Sequence, residues 1–452
     1  MGERDSFIQR KTRLVRFLSE NPNWTEYQES DELFVQELPK IELHVHLDGS
    51  FDPLFLWQYM KNNPDSLMCF PVETKPPWDP ENALKIRKMV EECESAEDFH
   101  ELCTCRGYRS LTHMLNCFSI FLPLVRRNLG LLEQLAFDFC QRQWEQNVVY
   151  TEVRYSPFLL AESFEKEEGE SRVDGQAVFD AITKGLRAGC VKFDITINQI
   201  ISAIAFGPDW AMPSVELVNK HRNDFPCATV GIDIASGEEH FDAENHKGLH
   251  EPHFLMIQRA MELNIPITLH AGEASTNDSV KNIWQAIDKY GATRIGHGYR
   301  VINDEALMAE CVKRKIHFEV CPTSSDETGG WMYETRRWDD HPCLTMRNQG
   351  LSYSLSSDDP AVFHTSLAWQ YRLALVRMGM NRDDLVQSNL NAAEASFAEE
   401  DEKVRLEEAI KAYADSFGND DDGRRSWRKS VSDSFADRVF VKQKKGTEKL
   451  YF

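Results

Sequence analysis

The chain has 452 residues, 42% of them hydrophobic, enough to bury a large core as two or three average domains or as one α/β barrel carrying insertions. Its 51 lysines and arginines face 73 aspartates and glutamates, and the net charge of −22 argues against nucleic-acid and anionic-membrane partners. Eleven cysteines, odd in number and without a C-x-x-C pair, read as buried thiols of a reducing compartment. No apolar run approaches the length of a membrane span and the first twenty residues are charged throughout, so a cytoplasmic protein is expected.

Residues 1–38 are expected to form a helical arm, because Phe7, Leu14, Phe17 and Leu18 recur near helical spacing among charges. The first strand follows, in Ile41-Glu42-Leu43-His44-Val45-His46-Leu47-Asp48-Gly49, where apolar and polar residues alternate. Residues two apart on a strand share a face, so His44 and His46 project together. Residues 49–147 make a long, mostly helical insertion, expected to lie as a lid over one end of the fold. Short β-branched runs then recur at 148–155, 193–203, 228–235, 265–270, 293–297, 316–321 and 351–356. Segments such as 278–290 and 304–315 suit single helices between them, and 367–379 and 400–417 read as closing helices. Eight strands alternating with helices predict an α/β fold, a parallel (β/α)8 TIM barrel over residues 39–417. Residues 418–452 are a basic tail of low hydrophobicity, expected to be mobile.

Barrel enzymes place their chemistry where strands end. There the sequence puts His44 and His46, His270 followed by Gly272-Glu273, His297 between two glycines, and the adjacent carboxylates Asp358 and Asp359. Three histidines and an aspartate from strands one, five and eight fit a mononuclear zinc site with one position left for water. A metal there makes hydroxide accessible near neutral pH. His297, not needed as a ligand, is placed to accept the proton of that water, and Glu273 is placed to act on the substrate. Strand four ends in Asp233-Ile234-Ala235 without a lysine that could be carbamylated to bridge two metals, and the cytidine-deaminase pattern is missing. His240, His246, His250 and His253 follow no strand or helix spacing and read as loop and surface residues.

Taken together, His44-Val-His46-Leu-Asp48-Gly49, His270-Ala-Gly-Glu273, Gly296-His297-Gly298 and Ser357-Asp358-Asp359-Pro360 resemble the adenosine deaminase family. Val148–Pro157 and Asn391–Phe397 support the likeness, which runs from Leu38 to Phe417. The resemblance implies zinc-dependent hydrolysis of adenosine, and of 2′-deoxyadenosine, to inosine and ammonia, with one zinc per chain held by His44, His46, His270 and Asp358. It implies His297 as base, Glu273 as proton donor to purine N1, Asp359 as partner of N7 and Asp48 as partner of a ribose hydroxyl. Met114, Phe118 and Phe121 would form an apolar wall over the sugar edge. Family members commonly carry Asp-Leu-Ala-Gly-Asp-Glu after strand four, with the glycine backbone at purine N3. Here the stretch is Asp233-Ile-Ala-Ser236-Gly237-Glu238, and Gly237 is expected in that role rather than Ser236. The expected partner is a small purine nucleoside, and a monomer is favoured. Adenine or an N6-modified AMP are alternative substrates, disfavoured because the Asp48 carboxylate suits a neutral hydroxyl and would repel a phosphate. A catalytically dead nucleoside-binding or signalling relative is disfavoured by the complete set of motifs.

Overall fold

Eight short strands order the chain: β1 (Lys40–His46), β2 (Val148–Tyr155), β3 (Thr196–Ile204), β4 (Thr229–Ala235), β5 (Thr268–Ala271), β6 (Arg294–His297), β7 (His317–Val320) and β8 (Ser352–Leu355). They come from a computed structural model that describes residues 28–162, 174–273, 278–331 and 337–417. The expected arm around Phe7–Leu18 and the tail after 417 lie outside the described residues. Nearly every strand residue is buried, as in a parallel sheet covered on both faces. Strands pair in parallel in the orders β1-β2-β3-β4 and β5-β6-β7-β8. Single parallel bridges join the two sheets at both seams, Ile232 with Ile267 and Val45 with Asp358. This mostly helical α/β arrangement is consistent with the expected barrel.

Two strands begin later than the sequence suggests. Phe193 ends the helix Gly175–Phe193, whose chain is turned by Asp194 in the left-handed region (φ 55°), so β3 starts at Thr196. Ile265-Pro266 precedes β5 because Pro266 has no N–H to give a ladder; its carbonyl instead accepts from Ile232 N–H (3.1 Å) across the seam.

The insertion after β1 is helical, with Pro53–Asn62, Ile86–Glu91, Ala96–Leu102, Leu111–Val125 and Leu129–Glu145. Ser110 caps the fourth of these by accepting from His113 N–H, and Asn128 caps the fifth by accepting from Leu131 N–H. At the other side of the fold Glu32, on the helix Glu29–Glu37, pairs with Arg372, and Asp31 with Arg382 at 2.6 Å, tying the start of the described chain to its closing helices.

The inner face of the strands is charged where an apolar filling would be ordinary. Glu152 and Arg154 of β2, Asp233 of β4, Arg294 of β6 and Glu319 of β7 are all within 1% of fully buried. Arg154 donates from Nη1 to Asp233 Oδ2 (3.1 Å) and from Nη2 to Glu319 Oε2 (2.6 Å). Arg294 donates from Nε to Glu319 Oε1 (2.7 Å) and from Nη1 to Glu152. Removing one partner of such a set strands the others without compensation. Arg154→Met should therefore cost about 3–5 kcal/mol in equilibrium urea unfolding. An unfolding midpoint equal to that of the wild type would show that the network contributes no net stability.

Candidate active site

The period of two along β1 puts Glu42, His44 and His46 on the inner face, with Ile41, Leu43 and Val45 packed outside against the core. His44 Nδ1 donates to Glu319 Oε2 at 2.7 Å, which turns its Nε2 toward the strand ends. That nitrogen is buried, has no hydrogen-bond partner among the described residues, and lies 3.2 Å from Asp358 Oδ1. His270 at the end of β5 is oriented the same way, its Nδ1 3.0 Å from Asp233 Oδ2. Burial disfavours charge on this ring, but the Asp233 carboxylate outweighs it and lifts the pKa to about 9. His46 Nε2 lies 3.3 Å from His270 Nε2 and 3.5 Å from Asp358 Oδ1. Two imidazole nitrogens facing each other, with an orphaned third and a carboxylate beside them, make a donor set that suits zinc. Carboxylates behind two of the rings fix their tautomers, as around metal-ligating histidines generally.

His297 also reaches this point. One nitrogen each from His44, His270 and His297 and one Asp358 oxygen lie within 4.8 Å of one another. The state of His297 follows from Tyr299. The Tyr299 hydroxyl donates to Cys321 O (3.0 Å) and accepts from Cys321 N–H (3.1 Å), so its remaining lone pair takes Nδ1–H of His297 (3.2 Å). Nε2 of His297 is thereby unprotonated and faces Glu273 Oε1 (3.7 Å) and Asp358 Oδ2 (3.9 Å). Burial holds the pKa of this ring well below the usual histidine range. A neutral ring with its lone pair turned into the site is what a base requires.

The carboxyls divide by environment. Burial pushes Glu273 up to about 8, against the opposing charge of His270. Asp358 stays well below the carboxylate range in spite of burial, because His297 and His44 face it, while burial and the neighbouring Asp358 hold Asp359 well above. Asp359 Oδ1 has no protein partner and borders the cleft. Gly49 makes room for it: a Cβ at that position would sit 1.8 Å from Asp359 Oδ1. Asp48 is 5% exposed, and burial lifts its pKa to about 7 against the backbone N–H of Ser156. His297 (φ 62°), Asp358 (φ 64°) and Ser236 (φ 76°) all take left-handed backbone conformations, a concentration of strain common at working sites.

The cleft brings together His46, His270, His297, Asp358, Asp359, Glu273, Asp48, Ser236 and Gly237. Met114 and Phe118 line its apolar side, joined by Leu111, Leu115 and Leu122 of the same helix and by Trp78 and Phe206. Phe121 is not on that wall. It is 1% exposed and stands behind Phe118, ring centroids 5.4 Å apart, because the helix turns it into the core. The histidines expected in loops also differ: His250 and His253 lie on the helix Lys247–Glu262, and His240 and His253 are fully buried. Among the described residues they form no second metal-type cluster.

Sequence reasoning missed Glu319, Arg154 and the ring-orienting part of Asp233. The signal available was a charged residue at alternate positions of otherwise apolar strands. It also missed Arg126, the C-cap of the helix Leu111–Val125, which lines the cleft with its charge facing Asp48 and Glu162.

Buried imidazoles and a carboxylate at the strand ends, with a base and a protonated acid beside them, define a metal-dependent hydrolytic enzyme. The chain belongs to the adenosine deaminase family, whose model matches residues 39–413, and it is a zinc-dependent hydrolytic deaminase. It is 32% identical to the adenosine deaminase of Xenopus tropicalis over 374 residues, 81% of this chain and 93% of that protein. An amidohydrolase from Burkhoderia ambifaria with bound zinc superposes with a TM-score of 0.64 at 23% identity, covering 87% of this chain and 96% of the other. The N6-methyl-AMP deaminase of Arabidopsis thaliana gives 0.63 at 23% identity, over 85% and 99%. The purified protein should carry about one zinc per chain, and chelation should abolish activity until zinc is restored. In His44→Ala, elemental analysis should find the metal largely lost; zinc retained at the wild-type level would remove His44 from the ligand set.

Proposed function

We propose that the protein deaminates adenosine, and 2′-deoxyadenosine, to inosine and ammonia. The observation that carries this reading is the placement of two buried carboxyls, Glu273 and Asp359, on the cleft beside the nitrogen–oxygen cluster, where burial favours their neutral form. A protonated carboxyl suits the two ring acceptors of an adenine, N1 and N7. The reading takes the two sheets as one closed (β/α)8 barrel spanning residues 39–417, sealed by the bridges at Val45–Asp358 and Ile232–Ile267, with residues 49–147 as its lid. Eleven free thiols, all but Cys69 and Cys93 buried, support a reducing, cytoplasmic setting.

In this reading His44, His46, His270 and Asp358 hold the zinc. The metal, when bound, supplies a nucleophile from water near neutral pH. His297 takes up the proton of that water on Nε2, which Tyr299 keeps free by engaging Nδ1. Glu273 gives its proton to purine N1, drawing electron density from C6 so that attack there becomes favourable. Asp359 donates to N7 and sets the ring in its plane. The backbone of Gly237 faces N3, and the lid residues Met114 and Phe118 cover the sugar edge while excluding water. Ammonia leaves, with cleavage of the C6–N bond, once His297 has passed its proton to the amino group, and the proton of the new C6 hydroxyl returns to the Glu273 carboxylate as the carbonyl forms. Glu273→Gln should keep its zinc and lose roughly 10²–10⁴-fold in kcat, because an amide has no proton to give. Near-normal turnover would make Glu273 structural.

Asp48 carries the choice of a nucleoside. A charged hydrogen bond that its carboxylate accepts from a ribose 5′-hydroxyl contributes roughly 1.5–3 kcal/mol. Asp48→Ala should then lower kcat/KM for adenosine by about 10- to 150-fold, while 5′-deoxyadenosine, already a poor substrate, should fall much less. Equal losses on both substrates would restrict Asp48 to a turn. A second reading, a 5′-phosphorylated N6-modified adenosine, is favoured by Arg126, whose guanidinium lines the same end of the cleft. Steady-state rates on adenosine, deoxyadenosine, adenine, AMP and N6-methyl-AMP decide between them, and faster turnover of either phosphate would replace the first reading.

A further inference from the structure

Glu238 belongs to none of the roles above, yet it joins the two loops on which the purine would rest. It follows β4 directly after two residues with positive φ, Ser236 at 76° and Gly237 at 144°. Glycine suits position 237 because its φ of 144° is a backbone conformation that side chains disfavour. The turn sends Glu238 across to the loop after β5. There Oε1 accepts from the backbone N–H of Glu273 at 2.9 Å, and Oε2 accepts from Asn282 Nδ2 at 2.6 Å. Asn282 is buried near the start of the helix Ser279–Asp288, so the acceptor is braced from behind. A charged acceptor on a backbone N–H is among the stronger and shorter kinds of hydrogen bond. It acts on the peptide unit from which the Glu273 side chain departs.

We propose that Glu238 is a positioning residue for the deamination, fixing the Glu273 backbone against the Gly237 turn so that the Glu273 carboxyl meets N1 while the Gly237 backbone faces N3. The inference rests on the assignment of Glu273 as proton donor. Its logic is geometric: the two contacts fall on the two nitrogens that flank C2 of one flat ring, so they must be held in fixed relation, and a proton donor displaced by about 1 Å loses on the order of 10²-fold in rate.

The test is a double-mutant cycle on the zinc-loaded enzyme, using whichever purine substrate the wild type turns over best and single-turnover conditions for the slow variants. Glu238→Ala should lower kcat by on the order of 10²-fold, with KM, zinc content and thermal midpoint near the wild type. Glu238→Gln, which keeps an oxygen for the Glu273 N–H, should recover most of that loss. In a Glu273→Gln background, Glu238→Ala should cost nothing further, since the proton it positions is already gone. Additive losses, or a KM effect without a kcat effect, would overturn the proposal in favour of a general structural role. So would a Glu238→Ala enzyme with wild-type kcat. If Glu273→Gln itself keeps normal turnover, the proton-donor assignment fails and this inference with it, an outcome separate from failure of Glu238 alone.

Discussion

One carboxylate, that of Glu319, sets the conditions for the rest of the site. Its Oε2 takes hydrogen bonds from His44 Nδ1 and Arg154 Nη2, and its Oε1 from Arg294 Nε and Thr268 Oγ1, all between 2.6 and 2.9 Å. Stripping water from such an ion costs several kcal/mol, and only a filled set of donors compensates. The group stays ionised for that reason: burial pushes its pKa up, and the two guanidiniums push it well below the carboxylate range. The consequence runs upward to the chemistry. Because Glu319 accepts from His44 Nδ1, the opposite nitrogen of that ring is turned toward Asp358. Asp233, itself held by Arg154, orients His270 in the same way through Nδ1 and lifts the pKa of that ring. A buried charge lattice thus sets the orientation of two of the rings at the site.

The seam between the sheets is made of the same residues. His46 N–H donates to Asp358 O (2.8 Å) and Asp358 N–H donates to His44 O (3.1 Å), so the backbone closing β1 against the end of β8 is that of the expected ligands. Glu42 secures the adjoining residue, accepting from Ser357 N–H at 3.0 Å and from Gln143 Nε2 at 2.6 Å. Asp358 can hold a left-handed φ of 64° because these bonds over-determine it. Strain of this kind is worth about 1–3 kcal/mol per residue, comparable to one or two of the hydrogen bonds that enforce it. The site's geometry and the seam between the two sheets are in this sense one constraint.

Much of this was readable from the residues in order, and the reasons it was readable are physical. Alternation along Ile41–His46 dictates which side chains share a face, and glycines beside His270 and His297 mark strand ends that turn sharply. The helices Glu305–Arg314 and Glu400–Ser416 lie within a residue or two of their expected bounds. What failed depended on partners distant in sequence. Glu319 in Phe318-Glu319-Val320 is one acid in a short strand; nothing local says that arginines 165 and 25 residues away converge on it. Phe121 has the spacing of Met114 and Phe118 but a different depth, and helical periodicity does not report depth. Arg126 follows the apolar run of a lid helix, where a sequence pattern reads only a polar end.

The charge lattice also limits where the cleft can vary. Every inner-face ion is committed to another, and each replacement there leaves a neighbour uncompensated, so the metal-binding end has little latitude. The sugar end is built differently. Its walls come from the insertion after β1, with Leu111, Met114, Leu115, Phe118 and Arg126 contributed by one helix and its cap, and with Trp78 held to that helix through Asn116 Oδ1 (2.8 Å). Apolar walls of this sort tolerate exchange at modest cost when volume is kept. Buried Asp48 and partly exposed Arg126 are polar groups on that side of the cleft. Variation in these walls is therefore separable from the inner-face charges, whose partners lie on other strands.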